Sequence, residues 1–236
     1  VTGFFIRSAS ATETDGPPGA AVLGRALERM GKRVELWTDE RNFGPLVACS
    51  ASIGGPEVHL AEGSESTESE LLVFVERPGR APDGCYYDMK GEDVASVVAP
   101  LDFLVEKALA EGRHVLGVGD GGNEVGMGLL RDELTRLLPN YASFLSCVSS
   151  TVCLPVDVSN WGAYALAAAL SVPFGSWQGL EPEEERTMLE ALIASGAVDG
   201  VSKRKELSVD GLALEQLEGV AFQIKEWYFN QSVGSQ

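Results

Sequence analysis

The sequence predicts an α/β fold: an open, mostly parallel sheet with helices on both faces. Two observations predict it. Short apolar runs of four to seven residues alternate with longer segments of helical period, the pattern of βα units rather than of hairpins. The run "LLVFVE" (71–76) is apolar up to its last residue, enough for a strand buried on both faces of a parallel sheet.

The elements follow in order. "TGFFI" (2–6) reads as a strand, and "AAVLGRALERMG" (20–31) as a helix stopped by Gly31. "RVELWTD" (33–39) is the next strand and "LLVFVE" the third. "LDFLVEKALAEG" (101–112) is a helix ending at Gly112, "HVLGVGD" (114–120) a strand and "GMGLLRDELTRLL" (126–138) a helix. "TVCLPVD" (151–157) is a strand, followed by the helix "WGAYALAAALS" (161–171) with Asn160 as its N-cap. A helix at 182–195, a short hairpin in "KELSVDGLAL" (205–214) and a last helix near 214–229 complete the chain. The serine-rich acidic run "EGSESTESE" (62–70) reads as a mobile loop, and "NQSVGSQ" (230–236) as a frayed tail. The result is one Rossmann-like three-layer domain over 1–236, with a small C-terminal hairpin and helix.

Composition narrows the function. The chain has 236 residues and 44% apolar content, enough for a sizeable core. Eighteen basic residues against 35 acidic ones leave a net charge of −17. That field repels nucleic acid and anionic membrane, so neither is an expected partner. The four cysteines form no CxxC pair, which argues against a zinc site or disulfide framework and for a reducing compartment. With no membrane-length apolar run, the expectation is a soluble intracellular protein. Its oligomeric state is open.

Ligands of open α/β sheets bind beyond the carboxyl ends of the strands. Four loops should meet there. "RSASATETDGPPGA" (7–20) brings Glu13, Asp15 and a Gly-Pro-Pro-Gly helix entry; "RPGRAPDGCYYDMKGED" (77–93) brings Arg77, Arg80, Asp83 and the pair Tyr86–Tyr87. "VLGVGDGGNEVGMGLL" (115–130) brings Asp120, Asn123 and Glu124 among six glycines, and the loop after "TVCLPV" brings Asp157, Ser159 and Asn160. "GVGDGGNEVG" (117–126) is not a dinucleotide fingerprint, because Asp120 sits inside what would be the phosphate loop. The carboxylates suit a hard divalent cation, Mg²⁺ or Mn²⁺, while helix N-termini and the arginines suit a small anionic or zwitterionic ligand.

"ETDGPPGA" (13–20), "ERPGRAPDGCYYDMKGED" (76–93), "GVGDGGNEVGMG" (117–128) and "VSNWGAYAL" (158–166) together resemble the D-glutamate cyclase family. The resemblance runs from "TGFF" to "GVSKRKELSVDGL" (200–212). It implies a hydro-lyase that converts D-glutamate to 5-oxo-D-proline and water, with help from a divalent metal, Mn²⁺ before Mg²⁺. A vertebrate-like member would sit in the mitochondrial matrix, a bacterial one in the cytoplasm. That reaction needs a base for the ammonium, a charge sink on the γ-carboxylate, an acid for the departing oxygen and a clamp on the α-carboxylate. On this reading Asp120 and Glu124, with Asp15 as a third candidate, hold the metal. Arg77 or Arg80 clamps a carboxylate. One of Asp15, Asp83 or Glu124 is the base, and Tyr87 a proton donor. Asn123 and Asn160 orient the substrate, and Gly121 and Gly122 keep the floor of the site bare. Two other readings compete: a metal-dependent enzyme acting on a phosphorylated or other acidic small molecule, and a non-catalytic sensor of acidic amino acids.

Overall fold

A computed structural model describes residues 1–61, 63 and 68–233. The run expected as a mobile loop at 62–70 falls largely outside the described residues, as do the last three residues of the expected tail. Residues 230–233 are not frayed but continue the final helix.

The core of the sheet is three parallel strands in the order β5 (Leu71–Val75), β6 (His114–Gly119), β7 (Val152–Pro155). A second parallel pair joins β3 (Leu36–Thr38) to β4 (Val58–Leu60). Residues 1–3 link the two pieces: Thr2 bridges Val75, and its N–H donates to the Trp37 carbonyl at 3.1 Å. The expected strand 2–6 is therefore broken. Gly3, at φ +112°, turns the chain out of the sheet, and Phe5–Ile6 (β1) pairs antiparallel with Ala11–Thr12 (β2) instead. A side chain at Gly3 would meet Asn42 and Thr38 at 2.8 Å, so the turn and the packing require glycine together.

Alternate residues of β5 face opposite layers, as strand geometry dictates. Val73 and Val75 pack with helices α1 (Pro17–Arg29), α2 (Glu40–Ser52), α5 (Ser159–Phe174), α6 (Pro182–Ala194) and α7 (Leu214–Val233). Leu72 and Phe74 pack with α3 (Phe103–Ala110). Both faces are covered, as the sequence predicts, but unequally.

Helix α2 is not visible in the sequence pattern because Gly44 and Pro45 interrupt its period. It forms because Asp39 caps it, accepting from the Asn42 N–H at 3.2 Å, and because Leu46 and Cys49 are fully buried. The helix expected at 126–138 is shorter: a 3₁₀ turn at Gly128–Leu130 precedes α4 (Arg131–Leu137). Asn160 is not an N-cap, since α5 starts at Ser159 and Val158 occupies the cap position. The hairpin pairs Ser208–Val209 (β8) with Leu212–Ala213 (β9). All four cysteines are free.

Candidate active site

A cavity of about 400 Å³ opens at the carboxyl ends of the strands. Its wall includes Glu13, Glu76, Asp120, Asn123, Glu124, Asp157 and Asp210, with Arg7, Lys90 and Lys203 as the cations. Acids outnumber cations in the wall, so its polar part is built to receive positive charge or donors.

Asp15 anchors the floor from behind. Its Oδ1 accepts from the N–H groups of Gly16 at 3.0 Å and Asn160 at 2.8 Å, and its Oδ2 from that of Ser159 at 2.8 Å. The Asn160 side chain completes the joint: its Oδ1 accepts from Gly16 and Gly19, and its Nδ2 donates to the Thr14 carbonyl. Asn160 thus fastens the start of α1 to the start of α5 and does not line the cavity.

Beside Asp15 stand Glu76, the first residue after β5, and Asp120, the first after β6. One carboxylate oxygen from each of Asp15, Glu76 and Asp120 lies within 4.8 Å of the others. Glu76 is held at φ +45°, a left-handed conformation unusual for a side-chain-bearing residue, while Ser159 Oγ donates to its Oε2 at 2.7 Å. Burial, and then the charges of Asp120, Glu124, Glu13 and Asp15, push the Glu76 carboxyl well above the usual range. Asp120 is exposed as a residue, yet desolvation of its carboxyl beside the other acids, followed by the charges of Asp15 and Glu124, pushes it up to about 11. Asp15 is raised as well by burial, partly offset by its backbone donors and by a hydrogen bond shared with Asp120. Crowded acids of this kind hold protons or a cation at neutral pH.

The trio fits a hard divalent metal. All donors are carboxylate oxygens, and they converge. The set differs from the expected one: Glu76 takes the place assigned to Glu124. The Glu124 carboxylate instead accepts from the N–H of Gly121 on Oε1 and of Gly122 on Oε2, each at 2.8 Å. It lines the cavity outside the trio, raised by burial. The glycines therefore do not form a bare floor. They bind the protein's own carboxylate, and a Cβ at Gly119 would strike Glu124 Oε2 at 2.7 Å.

The remaining expected residues divide. Asn123 lines the cavity, its Nδ2 donating to the Tyr87 carbonyl at 2.8 Å. Arg77 is fully buried away from it, paired with Asp39 at 2.6 Å and donating to the Gly3 and Ala99 carbonyls. It ties the capped end of α2 to β5. Arg80, 41% exposed, pairs with Glu106 at 2.5 Å and is not in the wall. Asp83 is on the surface, accepting from the Tyr87 hydroxyl at 2.6 Å, and neither lines the cavity. That bond holds the Asp83 carboxyl below its usual range and raises the Tyr87 hydroxyl, which makes Tyr87 a poor proton donor in this arrangement.

Glu76, Lys203 and Asp210 are wall residues that the sequence pattern does not single out. Glu76 reads as the end of a strand. Lys203 and Asp210 lie within "GVSKRKELSVDGL", where the visible signals are those of a turn and a charged surface loop. Arg7, beside the turn between β1 and β2, donates to the Asp93 carbonyl at 2.8 Å and so joins two loops that line the cavity.

Comparison with known proteins places the chain in a family. Residues 1–225 match the family model described as "D-glutamate cyclase-like, C-terminal". The chain is 29% identical over 248 residues to the human protein named "D-glutamate cyclase, mitochondrial". The match takes in 85% of this chain but 40% of that relative, so the chain spans less than half the length of the curated protein it matches. Among the described residues, no helix is long and apolar enough to cross a membrane.

Proposed function

Because the chain belongs to the D-glutamate cyclase-like C-terminal family, we propose that it is a hydro-lyase that closes D-glutamate to 5-oxo-D-proline with release of water. The observation that carries the reading is the convergence of Asp15, behind the wall, with Glu76 and Asp120, which line the cavity. The reaction is intramolecular, so the substrate itself supplies most of the proximity. What the protein must supply is charge. The α-ammonium has to lose a proton, and the γ-carboxylate has to become electrophilic.

Glu124 is the base we favour. Asp83 lies outside the cavity, and the Asp15 oxygens are taken by three backbone N–H groups. Glu124 faces the cavity, and its raised proton affinity suits removal of a proton from an ammonium. The amine then attacks the γ-carbonyl carbon and forms the lactam C–N bond. Asp120, whose carboxyl has a raised proton affinity, gives a first proton to one γ-oxygen of the tetrahedral adduct and is recharged by the proton that Glu124 took from the ammonium. Glu124 then takes the second proton from the nitrogen, Asp120 protonates the same oxygen again, and the C–O bond breaks with departure of water. Transfer of that second proton from Glu124 to Asp120 resets the pair, so both hydrogens of the water derive, in net, from the ammonium. A divalent cation held by Asp15, Glu76 and Asp120 would supply at the γ-carboxyl the positive charge that this proton otherwise provides. By this reading the protein works where D-glutamate is available, in the mitochondrial matrix of a eukaryote or the cytoplasm of a bacterium.

The test is incubation with D- and with L-glutamate, each with Mn²⁺ or EDTA, and chiral quantification of 5-oxoproline. Product from D-glutamate that disappears with EDTA supports the cyclase and the metal together. Product that survives EDTA supports the cyclase with Asp120 as acid. No product from either enantiomer sinks the proposal and favours an acidic-ligand sensor or another metal-dependent enzyme.

A further inference from the structure

Three buried side-chain oxygens in the cavity wall have no hydrogen-bond partner: Glu13 Oε1, Asn123 Oδ1 and Asp210 Oδ2. Asn123 Oδ1 is an acceptor in any state, and the two carboxyl oxygens become acceptors once a bound cation draws off their protons. Glu13 is only 7% exposed, and an acceptor buried that deeply without a donor is costly. The unmet demand at this part of the wall is therefore for donors.

Glu13 and Asp210 meet at Gly200. A Cβ there would lie 2.7 Å from Glu13 Oε2 and 3.3 Å from Asp210 Oδ1, so glycine lets the two carboxyls close on one spot. Lys203 completes the group. Its Nζ donates to the Gly200 carbonyl, its charge acts on both Glu13 and Asp210, and it too lines the cavity. Lys203 and Asp210 are both held left-handed, at φ +61° and +53°. The frame that holds them is Asp199, which is fully buried and accepts from the N–H groups of Val201, Ser202 and Gly211 and from Ser208 Oγ. Strained backbone at two wall residues, maintained by a saturated buried acid, is the mark of a preorganised binding element.

The geometry points to an α-amino-acid headgroup subsite on this loop, in which Glu13 and Asp210 receive the ammonium of the substrate and Lys203 its α-carboxylate. An ammonium carries three N–H donors, which match acceptors that nothing in the protein satisfies. The subsite rests on the cyclase reading for its substrate and adds a direction to it: the headgroup lies at Glu13, Asp210 and Lys203, and the γ-carboxyl reaches Asp15, Glu76 and Asp120. Two ends and an amine fixed at separate points also give the protein a basis for telling one enantiomer from the other.

Calorimetric titration of the 236-residue chain and of Glu13→Gln, Asp210→Asn and Lys203→Met tests this with three probes. These are D-glutamate, 4-aminobutyrate (which lacks the α-carboxylate) and glutarate (which lacks the amine). Glu13→Gln and Asp210→Asn are expected to weaken D-glutamate and 4-aminobutyrate about tenfold or more, and glutarate by less than about threefold. Lys203→Met should weaken D-glutamate and glutarate and spare 4-aminobutyrate. Asp210→Asn is nearly isosteric and asparagine tolerates the left-handed region, so it serves if Glu13→Gln does not fold. Unchanged affinities, equal losses for all probes, or an unsubstituted chain that binds neither amine-bearing probe overturns the subsite. Production of 5-oxoproline is scored separately. Binding in the expected pattern without product keeps the subsite and removes the cyclase; product formation indifferent to all three substitutions does the reverse.

Discussion

Two loops supply acids to the cavity, and each treats its acids differently. In the loop after β6, Glu124 is bonded by the Gly121 and Gly122 N–H groups and still lines the cavity beside Asp120. In the loop between α6 and α7, the saturated acid is Asp199, which is absent from the wall; Asp210 alone reaches it. Burial raises the Asp210 carboxyl to about 8, whereas Asp199, also buried, is held below its usual range by four donors. Two aspartates of one loop thus differ in proton affinity: donors hold Asp199 down, while burial and then the charges of Asp15 and Asp199 push Asp210 up. Asp199, saturated and absent from the wall, is framework, whereas Asp210, in the wall with an unpartnered oxygen, is where a ligand is to be sought.

The sharpest break of that contrast is Asp120→Asn. It removes an acid without donors of its own, so turnover should fall about 10²- to 10⁴-fold while the melting temperature holds or rises, as repulsion among the acids is relieved. Rates of 5-oxoproline formation and a thermal melt decide it, and near-normal turnover would take Asp120 out of the chemistry. Next in size, Asp199→Ala should cost about 3 kcal/mol in urea unfolding, because it strands several buried donors. Asp210→Asn should not destabilise at pH 6 and should if anything gain stability there, because the amide cannot ionise in the unfolded chain. Equal costs would erase the distinction between the two aspartates.

The third prediction concerns pH. The fold favours the neutral form of Asp210, so the stability it contributes is full below the ordinary value near 3.8 and is lost as pH rises toward about 8. The melting temperature should fall across that window, and Asp210→Asn should flatten part of the slope. Mn²⁺ should raise the melting temperature more at pH 8 than at pH 5, because it takes the place of protons that are leaving. A slope unaffected by Asp210→Asn would show that this residue does not titrate there. The smallest effect belongs to Arg80→Ala. Its pairing with Glu106 is exposed, so stability should move by no more than about 0.5 kcal/mol, and KM for D-glutamate should stay put.

Sequence made the βα alternation legible, and with it the edge of the sheet where the loops meet. Asp15, Asp120, Asn123 and Glu124 could be placed there because each follows a strand in the chain. Partnerships between distant segments were not legible. Arg77 looks like a ligand clamp until Asp39, 38 residues away, occupies it. Glu76 looks like the end of an apolar strand until a left-handed φ turns the chain at it. Helix α2 hides behind Gly44 and Pro45, since its stability comes from burial and a cap rather than propensity. Lys203 and Asp210 read as surface charges because nothing local reveals that Asp199 folds their loop inward.

The donors to Asp15 come from Ser159 and Asn160, 144 and 145 residues away along the chain, and the Thr14 N–H donates to the Val198 carbonyl. Contacts so far apart in sequence close late in folding, after the local helices have formed. The acids consequently remain dispersed along the chain until α5 docks on α1, and the crowded, high-energy cluster is assembled only when the rest of the molecule can bear it. Recovery of ligand binding during refolding should accordingly trail recovery of helical signal, which makes binding a timer for the last step of assembly.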